Sequence, residues 1–410
     1  MVDTIQDENG EIGEGTILKN YTEEATKEML ESVKLKEGGE QKIVEKESIK
    51  IIKGHEIVED VVKTQELYAD FSSFLETKVE IVADDGLKGT ISTGIDLADA
   101  ILGGGFAIGA LNIIVGQPGS GKTMLAAQTL GEGQKQHKGK LLGGFLDSEE
   151  ATTSMRLAAL GVKYPTIKPY VDITVEKVFK FLEGLCLFKQ TKKIVDTPSV
   201  VVWDSIANTL SQKEREAEDV NSVIGYKARM LSILIPKYVA KCAQNNICFI
   251  AVNQLRDVIK IGQFAPAKDL KFMTASKDMP GGNVLKFNAF HLIEMKVKSV
   301  IDRDKMGFDG VVAKMKCVKN KLFAPNIEIE IVGSFTGGFS NFWTNYNFMN
   351  INKRLQTGAW NYLISLPDKK FRTKDAYTLY KDDEVFRNAF DVSSKETIQT
   401  EIVDKYSQTI

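Results

Sequence analysis

From about residue 91 onward the chain alternates short apolar runs with longer amphipathic stretches. LNIIV (111–115) ends in a glycine-rich turn, and a helical stretch follows over 121–137. LLGGFLDSE (141–149) predicts a second buried strand, with a helix after it through Leu160. SVVVWD (199–204) is a third run and ends on an acid; an amphipathic stretch over about 222–244 leads into a fourth, ICFIAVNQ (247–254). Strands that alternate with helices in this way predict an α/β fold with a parallel, doubly wound sheet.

The pattern then changes. Residues 255–284 have little apolar period and many Lys, Gly and Pro. A stretch this long inside a compact domain is usually functional or mobile. HLIEMKV, VAKMKCVKNK and NIEIEIV follow as alternating strands, predicting an antiparallel extension. Residues 340–410 are rich in aromatics, among them Trp343, Tyr346, Trp360, Phe371, Phe386 and Phe390. These predict the core of a small C-terminal domain in preference to a base-stacking surface. Upstream, 1–20 is charged and aperiodic, 21–36 predicts a short helix with Glu early and Lys late, and KVEIVA (78–83) alternates like a strand. The expected organisation is an N-terminal acidic arm or small domain over 1–85, a core over 86–338 and the small domain over 339–410.

Composition narrows the class. With 410 residues the chain can bury a large core without disulfides or metal. Cys186, Cys242, Cys248 and Cys317 form no C-x-x-C pair, and His55, His137 and His291 stand apart, which argues against a zinc module and suits a reducing cytoplasm. No apolar run is long enough for a membrane span, and the polar, acidic N-terminus does not read as a signal peptide. The net charge of −2 hides an asymmetry: residues 1–80 carry 20 acidic and 10 basic side chains, and the remainder is net positive. An acidic tail on a more basic body accompanies some nucleic-acid-binding proteins; it also suits a merely solubilising extension.

The sharpest chemical signal is Gly116-Gln117-Pro118-Gly119-Ser120-Gly121-Lys122-Thr123, a G-x-x-x-x-G-K-T sequence between strand and helix. Its glycines allow backbone N–H groups to turn inward around phosphates, and the helix N-terminus adds partial positive charge. Lys122 is placed to reach β- and γ-phosphates and the Thr123 hydroxyl to hold Mg²⁺; Met124 follows on the same helix. Asp204, ending an apolar run, can reach that metal through water. Glu149 or Glu150 could polarise a water for attack on the γ-phosphate, or simply favour a helix start. Gln254 could hydrogen-bond a γ-phosphate and pass its loss to the long loop, or cap a strand end. Within that loop Arg256, Lys271 and other lysines are interleaved with Phe264 and Phe272. Basic and aromatic residues together suit single-stranded nucleic acid, and equally a solvated surface loop.

Taken together these segments resemble the RecA family of recombinases. ISTGIDLADAILGGGF (91–106), the phosphate loop, LDSEE, VVVWDS, AVNQLR, PGGNVLKF (280–287) and VKNK (318–321) occur in family order over about 90–335. WNYL and FRNAF in the C-terminal region further resemble the UvsX-type phage branch. The resemblance implies a RecA-like P-loop ATPase core, with ATP and Mg²⁺ as cofactors. It also implies helical filaments on single-stranded DNA, pairing with double-stranded DNA, and loading and single-strand-binding proteins as partners in a phage-infected bacterial cytoplasm. It favours Glu149 over Glu150 as the water-activating residue and makes Gln254 the switch glutamine. Lys319 and Lys321 match a pair that reaches the nucleotide of a neighbouring subunit. Residues 212–226 and 255–282 match two DNA-binding loops; Arg229, Arg256, Gly281, Gly282 and Asn283 fall on DNA-contacting positions, Ile224 and Phe264 near residues that wedge between bases, and Phe287 on an interface aromatic. The chain also departs from the family. Arg156 stands where a tyrosine often covers adenine, and could stack through its guanidinium. No F-x-x-A polymerisation motif is present, which leaves Phe71 and Phe74 as docking candidates. The competing readings are a ring-forming helicase with a RecA-like motor and a non-catalytic recombination mediator.

Overall fold

The computed structural model describes residues 88–163, 172–257 and 277–407. The predicted helix 21–36, the strand 78–83, Phe71, Phe74, Phe264 and Lys271 lie outside the described residues. The chain divides into two units, Met1–Asp85 and Gly86–Ile410; the described residues all belong to the second.

Eight strands form its main sheet: β1 (Leu111–Gly116), β2 (Leu142–Asp147), β3 (Ser199–Asp204), β4 (Ile247–Gln254), β5 (His291–Ile301), β6 (Gly310–Lys319), β7 (Ile327–Ser334) and β8 (Gly338–Phe339). Their spatial order is β8-β7-β6-β5-β1-β4-β3-β2. From β5 to β2 all neighbours are parallel, and from β5 to β8 all are antiparallel. The antiparallel extension predicted to begin at HLIEMKV therefore begins one strand later. β5 follows β4 through a crossover, so it enters beside β1 in the same direction, with Asn112 opposite His291 and Gly116 opposite Met295. Its first five residues are buried, whereas Val297–Val300 are not; the buried half is the half that lies against β1.

The helices that cover this sheet are α1 (Lys122–Gln136), α2 (Val175–Thr191), α3 (Tyr226–Gln244), α4 (Asn283–Asn288), α5 (Asn341–Ile351) and α6 (Glu384–Ile398). Alternate residues of a strand face opposite sides, and β3 shows it. Val200 and Val202 join an apolar layer with Leu125, Ala126 and Leu130 of α1. Val201 and Trp203 join another with Val178, Phe179 and Leu182 of α2 and Leu231 and Ile235 of α3. Burial on both faces is why these strands read as continuous apolar runs. In the C-terminal region Trp343, Tyr346, Phe371, Phe386 and Phe390 are buried together and pack with Ile301 and Val332 of the sheet, whereas Trp360, expected in the same core, is 52% exposed. Among the described residues no helix is long and apolar enough to cross a membrane.

One buried charge has no precedent in the sequence pattern. Lys189 of α2 is fully buried, and its Nζ donates to Thr197 O at 2.6 Å, to Ser199 Oγ at 3.1 Å and to Asn245 O. Burial pulls its pKa down to about 8. The ammonium ties together the segments that enter β3 and β4. Lys189→Met is expected to lower unfolding stability by about 2 kcal/mol or more, since it leaves buried acceptors without their donor. A urea denaturation midpoint equal to that of the unmodified chain would show that those carbonyls find other donors.

Candidate nucleotide site and adjoining loops

The order of the strands brings the carboxyl ends of β1, β4, β3 and β2 to one edge, where ligands bind in open parallel sheets. β1 ends at Gly116, where an added Cβ would lie 2.3 Å from Met295 O and 2.7 Å from Ser120 Oγ, so no larger residue fits. The turn closes at Gly121, which is in the left-handed region at φ 88 and precedes α1 with no side-chain cap. The first N–H groups of a helix have no partner within it, and groups of this kind can bind an anion. Ser120 Oγ and Lys122 Nζ both donate to Gln117 O at 2.8 Å, folding the loop around that carbonyl.

Lys122 is 8% and Asp204 4% exposed. Burial pulls the Lys122 ammonium below its usual pKa, while the negative charges of Asp204 and Glu149 oppose the shift. Burial likewise pushes the Asp204 carboxyl up to about 6; the Thr123 hydroxyl donates to it and opposes the rise, and Glu149 and Asp147 add to it. A hydroxyl and a buried carboxylate beside an uncapped helix make an oxygen donor set of the kind that Mg²⁺ shares with phosphate oxygens. Met124, on the next position of α1, is buried, and the Phe339 ring of β8 closes over Gly121. Arg156, on the short helix Ser154–Ala159, donates through Nη1 to Thr336 O at 2.8 Å and is thereby tethered to the β7–β8 turn.

The two candidate glutamates diverge. Asp147, the last residue of β2, accepts from Glu149 N at 3.0 Å and Thr152 N at 2.8 Å and so shapes the turn. Glu149 Oε1 accepts from Ser205 Oγ at 3.1 Å and from Asn208 Nδ2. Glu150 has φ 53, and its carboxylate accepts instead from Asp172 N at 3.2 Å. Asp147, Ser205 and Asn208 were not singled out by the sequence. The signal for Ser205 was its place directly after Asp204; Asp147 was overshadowed by the two glutamates beside it; Asn208 carried none.

Gln254 pairs with Gly116 in the β1–β4 register, which puts the end of β4 beside the start of the phosphate loop. Its neighbour Asn253 donates to Pro280 O at 2.7 Å, joining the two ends of the long loop. That loop has a base the sequence did not predict: Arg256–Asp257 pairs antiparallel with Lys277–Asp278. Gly281 and Gly282 follow at φ +100 and +81, and Asn283 opens α4. Lys319 Nζ donates to the last carbonyls of that helix, Lys286 O at 2.9 Å and Phe287 O at 2.7 Å, while Lys321 lies over the Phe290 ring. The Phe287 side chain is 75% exposed. Within 212–226 a short helix, Gln212–Glu216, starts in a capping box of Ser211 and Glu214; Ile224 is 69% exposed before Gly225, and Arg229 is exposed on α3.

Residues 78–340 match the family described as the RecA N-terminal domain. The chain belongs to the RecA family. It is 31% identical to the protein RecA of Crocosphaera subtropica over 236 residues, 58% of this chain and 62% of that one. It is 32% identical to the protein RecA of Sinorhizobium medicae over 243 residues, 59% and 61% of the two chains. It is 31% identical to that of Borreliella afzelii over 258 residues, 62% and 65%. The chain thus matches a little over three fifths of the length of these relatives. The RecA match takes in the whole edge just described, from the phosphate loop to Phe339.

Proposed function

We propose that the chain is an ATP-dependent DNA recombinase of the UvsX-type phage branch, forming helical filaments on single-stranded DNA and promoting homologous pairing and strand exchange. The observation that carries this reading is the convergence of Lys122, Thr123, Asp204 and Glu149 at one sheet edge, with Gln254 beside Gly116. The phosphate-loop N–H groups and Lys122 bind the β- and γ-phosphates. Thr123 and Asp204 would hold Mg²⁺, which would offset charge on the phosphoryl group when bound. Glu149 orients and polarises the attacking water. Gln254 senses the γ-phosphate and, through Asn253 and Pro280, biases both ends of the long loop.

DNA contacts are assigned to two segments. Ile224 lies in the first and Arg229 just beyond it; Arg256, Phe264, Lys271, Gly281 and Gly282 lie in the second and Asn283 directly after it. Exposed Phe287, whose carbonyl accepts from Lys319, and Lys321 over the Phe290 ring suit a surface that meets the next subunit. Arg156 remains the adenine-contact candidate. Loading and single-strand-binding proteins are the further partners proposed, in the cytoplasm of an infected bacterium. Four buried free cysteines accord with a reducing compartment. Electron microscopy with ATP and single-stranded DNA is expected to show continuous helical filaments. Closed rings would favour a helicase, and DNA-independent particles that do not hydrolyse ATP would favour a mediator.

A further inference from the structure

Lys227 is the second residue of α3, one residue past the 212–226 segment that ends in Ile224, Gly225 and Tyr226. Among the partners of its Nζ are three backbone carbonyls, Ile206 O at 3.2 Å, Ala207 O at 3.2 Å and Thr209 O at 3.0 Å. These belong to a single helical turn after β3, closed by Thr209 N on Ser205 O at 3.1 Å and by Thr209 Oγ1 on the same oxygen at 2.7 Å. A cation at the carbonyl end of a turn is where its dipole favours one. The same turn carries Ser205 and Asn208, the two side chains that donate to Glu149 Oε1. Trp203 Nε1 holds Thr209 Oγ1 at 2.8 Å, and Ile206 N donates to Val252 O at 2.9 Å, so the turn is braced against β3 and β4. One ammonium group therefore links the start of α3 to the segment that grips the candidate catalytic carboxylate.

Glu149, held by both Ser205 Oγ and Asn208 Nδ2 on the same oxygen, is restrained in position. We propose that Asn208 restrains Glu149 when DNA is absent, and that Lys227 relays occupation of the 212–226 segment by single-stranded DNA to that restraint. This inference rests on the functional reading above. Displacement of Ile224 and Gly225 by a bound strand moves the start of α3, Lys227 draws the three carbonyls with it, and Asn208 leaves Glu149 free to act on water. Lys227 and Asn208 are positioning residues; neither is assigned a contact with nucleotide.

The test is steady-state ATPase of the full chain with and without poly(dT), with affinity for poly(dT) measured separately. Asn208→Ala is expected to raise kcat without DNA by about tenfold or more, the lower end of what one hydrogen bond to a charged group is worth, with KM for ATP unchanged. Lys227→Met is expected to keep the basal rate, the KM and the DNA affinity but to lose most of the stimulation. Lys227→Arg, which keeps a cation at the carbonyls, restores it. The double variant behaves as Asn208→Ala alone, because the relay has nothing left to release. Full stimulation in Lys227→Met, or a fall of basal and stimulated rates by one common factor, overturns the relay; a lower basal rate in Asn208→Ala overturns the restraint. An unmodified chain that DNA fails to stimulate removes the functional reading itself, and the relay with it.

Discussion

Lys122→Ala is expected to abolish ATP hydrolysis and to weaken ATP binding by about 10²-fold or more. The loss of a buried, charge-assisted contact costs on the order of 2–5 kcal/mol, which sets that scale. The geometry separates this effect from misfolding. Lys122 is buried at a cost, as its lowered pKa shows, and its hydrogen-bond acceptor Gln117 O keeps a second donor in Ser120 Oγ. The variant should therefore melt at or near the temperature of the unmodified chain. Titration calorimetry with a non-hydrolysable ATP analogue checks the affinity. Binding as tight as in the unmodified chain would take Lys122 out of the site.

Glu149→Gln is expected to lower kcat by about 10²-fold or more while ATP still binds, the range typical of a lost general base. The amide keeps an oxygen for Ser205 and Asn208 but loses the charge that polarises water. Glu150→Gln makes the matched control. Its carboxylate faces Asp172 N, across the turn from Ser205, so its rate should stay within about twofold of the unmodified chain, as for a surface change away from the chemistry. Single-turnover measurements on the two variants discriminate them directly. Near-normal turnover in Glu149→Gln, with loss in Glu150→Gln, would exchange the two assignments.

Much of this edge was legible in the sequence because it is built from strands buried on both faces. LNIIV, SVVVWD and ICFIAVNQ announce themselves as apolar runs, and the polar residues that end the last two, Asp204 and Gln254, are placed at the carboxyl edge. The glycines of the phosphate loop were legible for a related reason: Gly116 stands where a Cβ would strike Met295 O, and Gly121 where the backbone turns left-handed. Direction of pairing was legible for the first four strands but not for β5. β5 alternates like an exposed-face strand, yet half of it lies parallel to β1, because pattern reports burial and not the crossover that sets direction. Nor were the contacts of Lys189 and Lys227. Both reach backbone carbonyls far along the chain, and a carbonyl leaves no mark on residue type. Asn208 sits in a turn where asparagine is common for local reasons, so its contact with Glu149 emerged only from three dimensions.

The proposed coupling of a nucleotide site to single-stranded DNA within one chain is tested most directly by the ATPase rate of the purified chain. The rate is measured with and without single-stranded DNA at fixed salt and Mg²⁺. A low basal rate that rises at least tenfold on adding the strand, about 1.4 kcal/mol of coupling, is the predicted result. Equal rates with and without DNA, at concentrations where the strand is bound, would contradict it.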